Sequence, residues 1–123
     1  MSDCEICSKL GIYVPGERHH CIFKSQRKGL EAEWNYKYLC DAHHRGNESP
    51  HLNKSIDLEY KRGVQQYLSE TLYKDYYTVS KLMEVLDLNY KTVMKLVKTL
   101  EHHKNGFDKT QVIRQILGGR NYA

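Results

Sequence analysis

Long apolar runs are missing from this chain of 123 residues. No stretch approaches the roughly 20 apolar residues that a membrane span needs, and the first thirty residues lack the apolar core of a secretory signal. Internal repeats, low-complexity segments and long linkers are missing too, and the chain is too short for a large multidomain enzyme. The sequence therefore predicts one or two small, soluble, intracellular modules with no membrane partner.

Net charge is absent from the first half. Seven acidic residues balance seven basic ones over residues 1–53, so the whole net charge of +4 falls on residues 54–123. Within that part, residues 89–123 hold seven basic residues against Glu101 and Asp108. Because a local excess of positive charge attracts polyanions, nucleic acid is the first candidate partner.

Cysteine and histidine are unevenly distributed: all four cysteines and five of the seven histidines lie within residues 1–51. Without a secretory signal to supply an oxidising compartment, this mixture indicates metal ligands rather than disulfides. Cys4-x-x-Cys7 and Cys40-x-x-His43 are two pairs spaced to converge on one tetrahedral zinc ion. Two disulfides or unligated buried cysteines are the alternatives, and Cys21 is left over as a packed thiol.

Local patterns predict an α+β chain in two parts. Residues 1–54 contain both prolines and only short apolar runs, which favours a loop-rich unit with brief strands and a short helix near residues 40–45, stable only with a bound metal. Residues 55–123 carry apolar residues at helical spacing. Four helices are predicted: about Ile56 to Tyr73 after a Ser55 N-cap, Val79 to Leu86 after Thr78, Asn89 to Leu100, and Lys109 to Leu117 between an Asp108 cap and Gly118.

The second and third predicted helices are separated only by Asp87 and Leu88, which is typical of a helix-turn-helix DNA-binding unit. The third helix has an apolar stripe on one face and a row of lysines on another. The alternative is an ordinary amphipathic helix with a solvated lysine face. Under the DNA-binding hypothesis, the residues that contact phosphates or base edges are Asn89, Tyr90, Lys91, Lys95, Lys98, Arg114 and Arg120.

One asparagine and a second set of histidines remain once the zinc ligands are assigned. His19-His20 is followed fifteen residues later by Asn35 and nine residues after that by His44, and His51 comes seven residues further on. The order Cys-x-x-Cys, His-His, Asn, Leu-Cys-x-x-His-His resembles the HNH (ββα-metal) nucleases, specifically the group that frames its active site with a zinc site. The resemblance covers residues 4–53.

Helical spacing predicts a helical, helix-turn-helix-like module in residues 55–123. The resemblance implies a zinc-stabilised ββα-metal, treble-clef-like module in residues 1–54. It implies that His19 and His44 hold a catalytic divalent ion, either Mg²⁺, Mn²⁺ or another metal, and that His20 is the general base. Asn35 would hold the loop between the two strands so that the ring of His20 points correctly. An imidazole suits a general base at physiological pH, and a hard cation neutralises charge on the scissile phosphate.

The end of the motif departs from the family. The family places its last ligand three or four residues after the histidine that matches His44, where this chain has Asn47 and Glu48. The third ligand is therefore His51, Asn47 or water, and we favour His51. Arg45, beside the ion, would clamp a phosphate oxygen.

The implied activity is metal-dependent hydrolysis of DNA phosphodiester bonds by an endonuclease or nickase. The resemblance also implies a phage- or prophage-encoded protein in the cytoplasm of a bacterial host cell, with a second copy of the chain and phage recombination or packaging proteins as further candidate partners. Two alternatives without cleavage stay open. One is a zinc-containing recombination or replication accessory protein that binds DNA, and the other is a transcriptional regulator whose zinc module serves for dimerisation.

Overall fold

The computed structural model describes residues 2–22, 31–47 and 49–119 of an α+β protein. Its first part contains helix α1 (Glu5–Lys9), strand β1 (Glu17–His20), a 3₁₀ turn (Glu33–Asn35), strand β2 (Tyr36–Leu39) and helix α2 (Asp41–Arg45). β1 and β2 pair antiparallel, with His20 opposite Tyr36. α1 begins directly after Cys4 and α2 directly after Cys40, so each predicted ligand pair spans the first turn of a helix. Residues three apart lie on one helix face, which lets both members of a pair point the same way.

The second part contains four helices and a two-stranded sheet. The elements are α3 (Lys54–Thr71), β3 (Tyr76–Tyr77), α4 (Val79–Leu86), α5 (Tyr90–Val97), β4 (Phe107–Asp108) and α6 (Lys109–Ile116). β3 and β4 pair antiparallel, with Tyr77 opposite Phe107. Gly106, just before β4, has φ of 119°, and a Cβ there would lie 2.5 Å from the carbonyl oxygen of Tyr77. Only glycine therefore lets the two short strands approach.

All four predicted helices form, with bounds that differ by a few residues. The prediction of Ser55 as the first N-cap is wrong, because the side chain of Asn53 accepts hydrogen bonds from the N–H groups of Ser55 and Ile56, and α3 begins at Lys54. α5 ends at Val97 rather than at Leu100, whose N–H donates to the Val97 carbonyl in a terminal turn. The predicted caps of α4 and α6 are confirmed, and so is the left-handed conformation of Gly118.

One hydrophobic cluster joins the small sheet of the first part to the helices of the second. It runs from Ile22 and Leu39 through Val64 and Leu68 of α3 to residues of α4, α5 and α6. The indole N–H of Trp34 donates to the carbonyl of Leu86 at the end of α4, at 2.7 Å. Tyr60 of α3 lies beside His19 of β1, with ring centroids 6.1 Å apart, and the candidate site lies at this contact. Among the described residues, no helix is both long and apolar enough to cross a bilayer.

Candidate metal centres

The first candidate metal centre, here named the cysteine cluster, consists of Cys4, Cys7, Cys40 and His43, with all four ligand atoms within 4.8 Å of one another. The Sγ atoms of Cys7 and Cys40 are 3.7 Å apart, and His43 Nδ1 lies 3.5, 3.6 and 3.2 Å from the sulfurs of Cys4, Cys7 and Cys40. Ligands on a tetrahedral zinc ion would be about 3.8 Å apart for two sulfurs and about 3.6 Å apart for a sulfur and a nitrogen. The four residues can therefore hold a metal ion such as zinc, and their spacing fits it.

The pKa values of two thiols in the cysteine cluster are shifted in opposite directions. Burial alone raises the pKa of Cys4, but hydrogen bonds from the backbones of Cys7 and Cys40 and from the ring of His43 outweigh it and bring the pKa to about 6. Burial, together with the neighbouring thiols of Cys4 and Cys40, raises the pKa of Cys7 to about 11. The repulsion is between negatively charged thiolates. A bound dication would offset it, and thiolates are the form that ligates metal.

No disulfide joins the cysteines, all four of which lie in the described part of the chain. The structure thus shows neither of the two disulfides of the alternative prediction. Cys21 lies outside the cysteine cluster, where it is 2% exposed within the hydrophobic core. Burial raises the pKa of its thiol to about 12, so Cys21 is the packed, protonated thiol that the sequence predicts.

The second candidate centre, here named the histidine cluster, consists of His19, His44 and His51, whose candidate ligand atoms also lie within 4.8 Å of one another. The Nε2 atoms of His44 and His51 are 3.2 Å apart. Two imidazole nitrogens on one ion would be about 3.0–3.4 Å apart, so the distance fits a shared cation as well as a hydrogen bond between the rings. The structure thus brings together the three histidines predicted to hold the catalytic ion.

The three side chains of the histidine cluster differ in their exposure to solvent. His19 on β1 is 2% exposed, His44 on α2 is half-buried and His51 is exposed. Burial, followed by the neighbouring rings of His51, His44 and His20 and by Lys61, lowers the pKa of His19 to about 3. Burial also lowers the pKa of His44. Both imidazoles are therefore neutral near physiological pH, the form that binds metal, and the exposed side of the cluster is open to solvent.

Glu17 lies beside the histidine cluster and was not predicted. Its Oε1 is 3.7 Å from Nδ1 of His44, on the opposite side of the ring from His51, and its Oε2 accepts a hydrogen bond from Arg45 at 2.9 Å. At 3.7 Å the two groups are within ion-pair distance and are not hydrogen-bonded. A carboxylate that moves closer and accepts from Nδ1 would orient the ring and strengthen it as a ligand. Arg45, the predicted phosphate clamp, is 64% exposed and paired with Glu17.

His20 does not join the histidine cluster. Successive side chains of a strand point to opposite faces. The ring of His19 contacts the other two cluster histidines and Tyr60, whereas the ring of His20 contacts Tyr36 and the carboxylate of Glu31. The two neighbouring histidines therefore have separate surroundings, and the predicted base is held by its own set of partners.

Asn35 is fully buried and closes the base of the segment between β1 and β2. Its side-chain oxygen accepts a hydrogen bond from the N–H of Ile22 at 2.8 Å, and its side-chain N–H₂ donates to the carbonyl of Ile22 at 3.2 Å. The backbone carbonyl of Asn35 also accepts from the N–H of Cys21. Asn35 thus holds the two ends of the connecting segment together two residues after His20, where the resemblance predicted such a role.

The predicted DNA-binding residues of α5 lie on an exposed face. Asp87 takes the left-handed conformation in the turn between α4 and α5, with φ of 52°. Lys91, Lys95 and Lys98 are exposed and line a groove of about 720 Å³ together with Tyr90 and apolar side chains. The groove along α5 therefore has apolar walls and a rim of lysines.

The remaining predicted DNA contacts lie elsewhere or serve the fold. Asn89 is the N-cap of α5, and its side-chain oxygen accepts from the N–H of Thr92 at 2.8 Å. Arg114 lines a separate cavity of about 280 Å³ between α3 and α6, rather than the groove along α5. Arg120 lies outside the described residues.

Sequence reasoning also missed a buried ion pair near the histidine cluster. Lys61 of α3 donates to Asp57 at 2.8 Å, with side chains 6% and 14% exposed. The positive charge of Lys61 contributes to the lowered pKa of His19. An acidic residue four before a lysine on a helix is a common surface pattern, so nothing in the sequence marks this pair as buried.

Comparison of the chain with known protein families, with curated proteins and with solved structures finds no match.

Proposed function

We propose that this protein is a metal-dependent DNA endonuclease or nickase of the HNH type, with its active site at the histidine cluster and a structural zinc ion in the cysteine cluster. The observation that carries the proposal is the contrast between the two clusters. One offers four donors, two of them fully or nearly fully buried thiols, and the other offers three imidazoles, of which His51 is exposed. Structural zinc sites are closed by four ligands, whereas catalytic sites keep a position open for water or substrate.

The elements around the histidine cluster support the HNH assignment. β1, which pairs antiparallel with β2, supplies His19, and the short helix α2 supplies His44. The side chain of Asn35 bonds to Ile22, two residues after His20. A divalent ion held by the three imidazoles would neutralise charge that develops on the scissile phosphate and the leaving oxygen. Because the attacking and leaving oxygens lie on opposite sides of the phosphorus, the base and the ion need not adjoin.

In the proposed reaction, His20 accepts a proton from the attacking water. The oxygen of that water forms a bond to phosphorus, the bond from phosphorus to the leaving oxygen breaks, and the leaving oxygen takes a proton from solvent. Arg45 would exchange Glu17 for a phosphate oxygen. The lysines of α5 would hold the DNA backbone without reading its sequence strongly.

A cleavage assay on supercoiled plasmid tests the proposal. We expect the zinc-loaded protein to nick or linearise the plasmid when Mg²⁺, Mn²⁺ or Ni²⁺ is added, and not in buffer freed of those ions. The zinc content must be measured in parallel, so that loss of the cysteine cluster is not mistaken for loss of the catalytic ion. Absence of cleavage on plasmid, single-stranded and branched DNA with every metal would overturn the nuclease assignment.

A DNA-binding protein that does not cleave is the second candidate. The exposed lysine groove on α5 favours it, because that surface is complete without the histidine cluster. For a recombination or replication accessory protein, we expect DNA binding that needs no added divalent ion. For a transcriptional regulator, we expect a sequence-specific footprint that depends on the α5 lysines and a dimer in solution.

A further inference from the structure

We infer that Glu31 is a positioning residue for His20, and that it selects Nδ1 of the imidazole as the atom that accepts the proton. This inference rests on the proposed function and assigns a role within the same site. Glu31 lies two residues before the 3₁₀ turn that leads into β2, and it belongs to no sequence motif. Glu31 comes close to His20 through the folding of the chain, and no sequence pattern connects the two residues.

The carboxylate of Glu31 contacts His20 through one oxygen. Nε2 of His20 lies 2.9 Å from Oε1 of Glu31, although eleven residues separate them in the chain. A carboxylate accepts hydrogen bonds and does not donate them, so Nε2 carries the hydrogen of this bond. A neutral imidazole has one N–H and one lone pair, and the lone pair is then on Nδ1.

The other oxygen of Glu31 is held by Tyr36. The hydroxyl of Tyr36 donates to Oε2 of Glu31 at 2.5 Å, and the Tyr36 ring meets the ring of His20 edge-on with centroids 5.1 Å apart. Burial and the hydrogen bond to Glu31 raise the pKa of Tyr36 to about 12, so its hydroxyl keeps its proton. The guanidinium of Arg18 lies 4.5 Å from the centroid of the same ring. Glu31 and Tyr36, with Arg18 packed on the Tyr36 ring, thus hold the imidazole of His20 in one orientation.

This arrangement serves general-base catalysis in two ways. It removes the tautomer with the hydrogen on Nδ1, which could not accept a proton from water at that atom. It also places a negative charge beside the imidazolium that forms when Nδ1 takes the proton. The proton passes from water to Nδ1, the water oxygen bonds to phosphorus, and the Nε2–H bond to Glu31 is kept throughout.

The chain contains a matched control two residues away. Glu33 accepts a hydrogen bond from Tyr38 at 3.0 Å, which repeats the Glu31–Tyr36 spacing of five residues. Within the described ranges, the carboxylate of Glu33 bonds to Tyr38 through both oxygens and to no histidine. Glu31 is 45% exposed, so its ion pair adds little to the stability of the fold. Glu31→Ala and Glu33→Ala should therefore have similar effects on stability and different effects on His20.

Nitrogen NMR of the imidazoles in the zinc-loaded protein tests the inference without any need for activity. The His20 signals are assigned by comparison with His20→Ala, at alkaline pH where free imidazoles are neutral. We expect the hydrogen on Nε2 in the wild type and in Glu33→Ala, and a mixture of tautomers in Glu31→Ala. Finding the hydrogen on Nδ1 in the wild type, or no change in Glu31→Ala, would overturn the inference.

Plasmid cleavage provides the second test. Glu31→Ala should lower kcat by roughly tenfold or more with KM unchanged, as expected when an orienting partner of an imidazole is removed. Glu31→Asp should recover part of the loss, and Glu33→Ala should cleave like the wild type. In a His20→Ala background, Glu31→Ala should cause no further loss.

Cleavage by the two variants separates an error in the role of Glu31 from an error in the role of His20. If His20→Ala abolishes cleavage and Glu31→Ala does not reduce it, the positioning role is wrong and the nuclease assignment stands. If His20→Ala cleaves like the wild type, the proposed base is wrong, and no catalytic role through His20 is left for Glu31.

Discussion

The Nε2 atoms of His44 and His51 lie 3.2 Å apart, although α2 ends between the two residues. A buried histidine from β1, His19, meets both rings with centroids 5.2 and 5.0 Å away. Three segments of the chain therefore deliver one imidazole each to one point. Burial and the repulsion between protonated rings at these distances lower the pKa of His19 and of His44, which favours the neutral form that can ligate a cation.

Removing one of these rings should weaken a second divalent ion and spare the zinc. For His51→Ala and His44→Ala we expect the affinity for Mn²⁺ or Co²⁺ to fall at least roughly tenfold, because one of three protein ligands is removed. Calorimetric titration of zinc-loaded protein measures this affinity, with His102→Ala as the matched histidine control outside both clusters. Equal affinities in all three variants would show that no ion is bound at the histidine cluster.

The cysteine cluster should control stability rather than catalysis directly. We expect Cys40→Ser to lose the zinc ion and to unfold the first part of the chain, because a structural metal contributes its binding free energy to folding. Metal analysis and thermal unfolding measure the two effects. Cys21→Ala is the control: it should keep one zinc ion per chain and lose only about 1 kcal/mol, as for a small core truncation. Retention of zinc by Cys40→Ser would contradict the ligand set.

Protons should compete only weakly with a metal ion for the imidazoles of the histidine cluster. Three imidazoles with the ordinary pKa near 6.5 would lose roughly 50-fold in metal affinity between about pH 7.5 and pH 6, because a proton on each ring excludes the ion. The pKa of His19 is lowered to about 3, so this ring stays neutral as the pH falls through this window. The pKa of His44 is also lowered, so this ring takes up a proton at a lower pH than a free imidazole does. We therefore expect a clearly smaller loss in Mn²⁺ affinity. A 50-fold loss would mean that both rings titrate normally.

The α5 lysines should set the salt dependence of DNA binding. We expect the triple variant Lys91→Ala, Lys95→Ala and Lys98→Ala to bind DNA more weakly. Its plot of log affinity against log salt should flatten by up to about 0.9 for each phosphate that a lysine no longer neutralises. Fluorescence anisotropy at several salt concentrations measures the slope. Lys9→Ala, an exposed lysine of α1, should leave it unchanged. An unchanged slope in the triple variant would show that these lysines face solvent and do not contact the DNA.

Local spacing explains why the ligands of the cysteine cluster could be predicted from the sequence. In Cys4-x-x-Cys7 and Cys40-x-x-His43 the fold only has to start a helix after the first residue to bring both ligands to one side. The caps Thr78 and Asp108 are likewise properties of a few neighbouring residues. Features of this kind are encoded within one helical turn.

Contacts that depend on register or packing could not be read from the sequence. Glu31 reaches His20 only because β1 and β2 pair with His20 opposite Tyr36. Asn53 and Ser55 are both good N-cap residue types, so residue type alone does not decide between them. β3 and β4 are two residues each, too short for alternation of apolar and polar residues to show.

Plasmid cleavage by His20→Ala beside the wild type tests the central claim most directly. We predict that the variant keeps its zinc content, its affinity for Mn²⁺ and its affinity for DNA, and loses about 100-fold or more in the rate of cleavage, as expected for removal of a general base. Cleavage by His20→Ala at the wild-type rate, with zinc and both affinities intact, would contradict the assignment of His20 as the base.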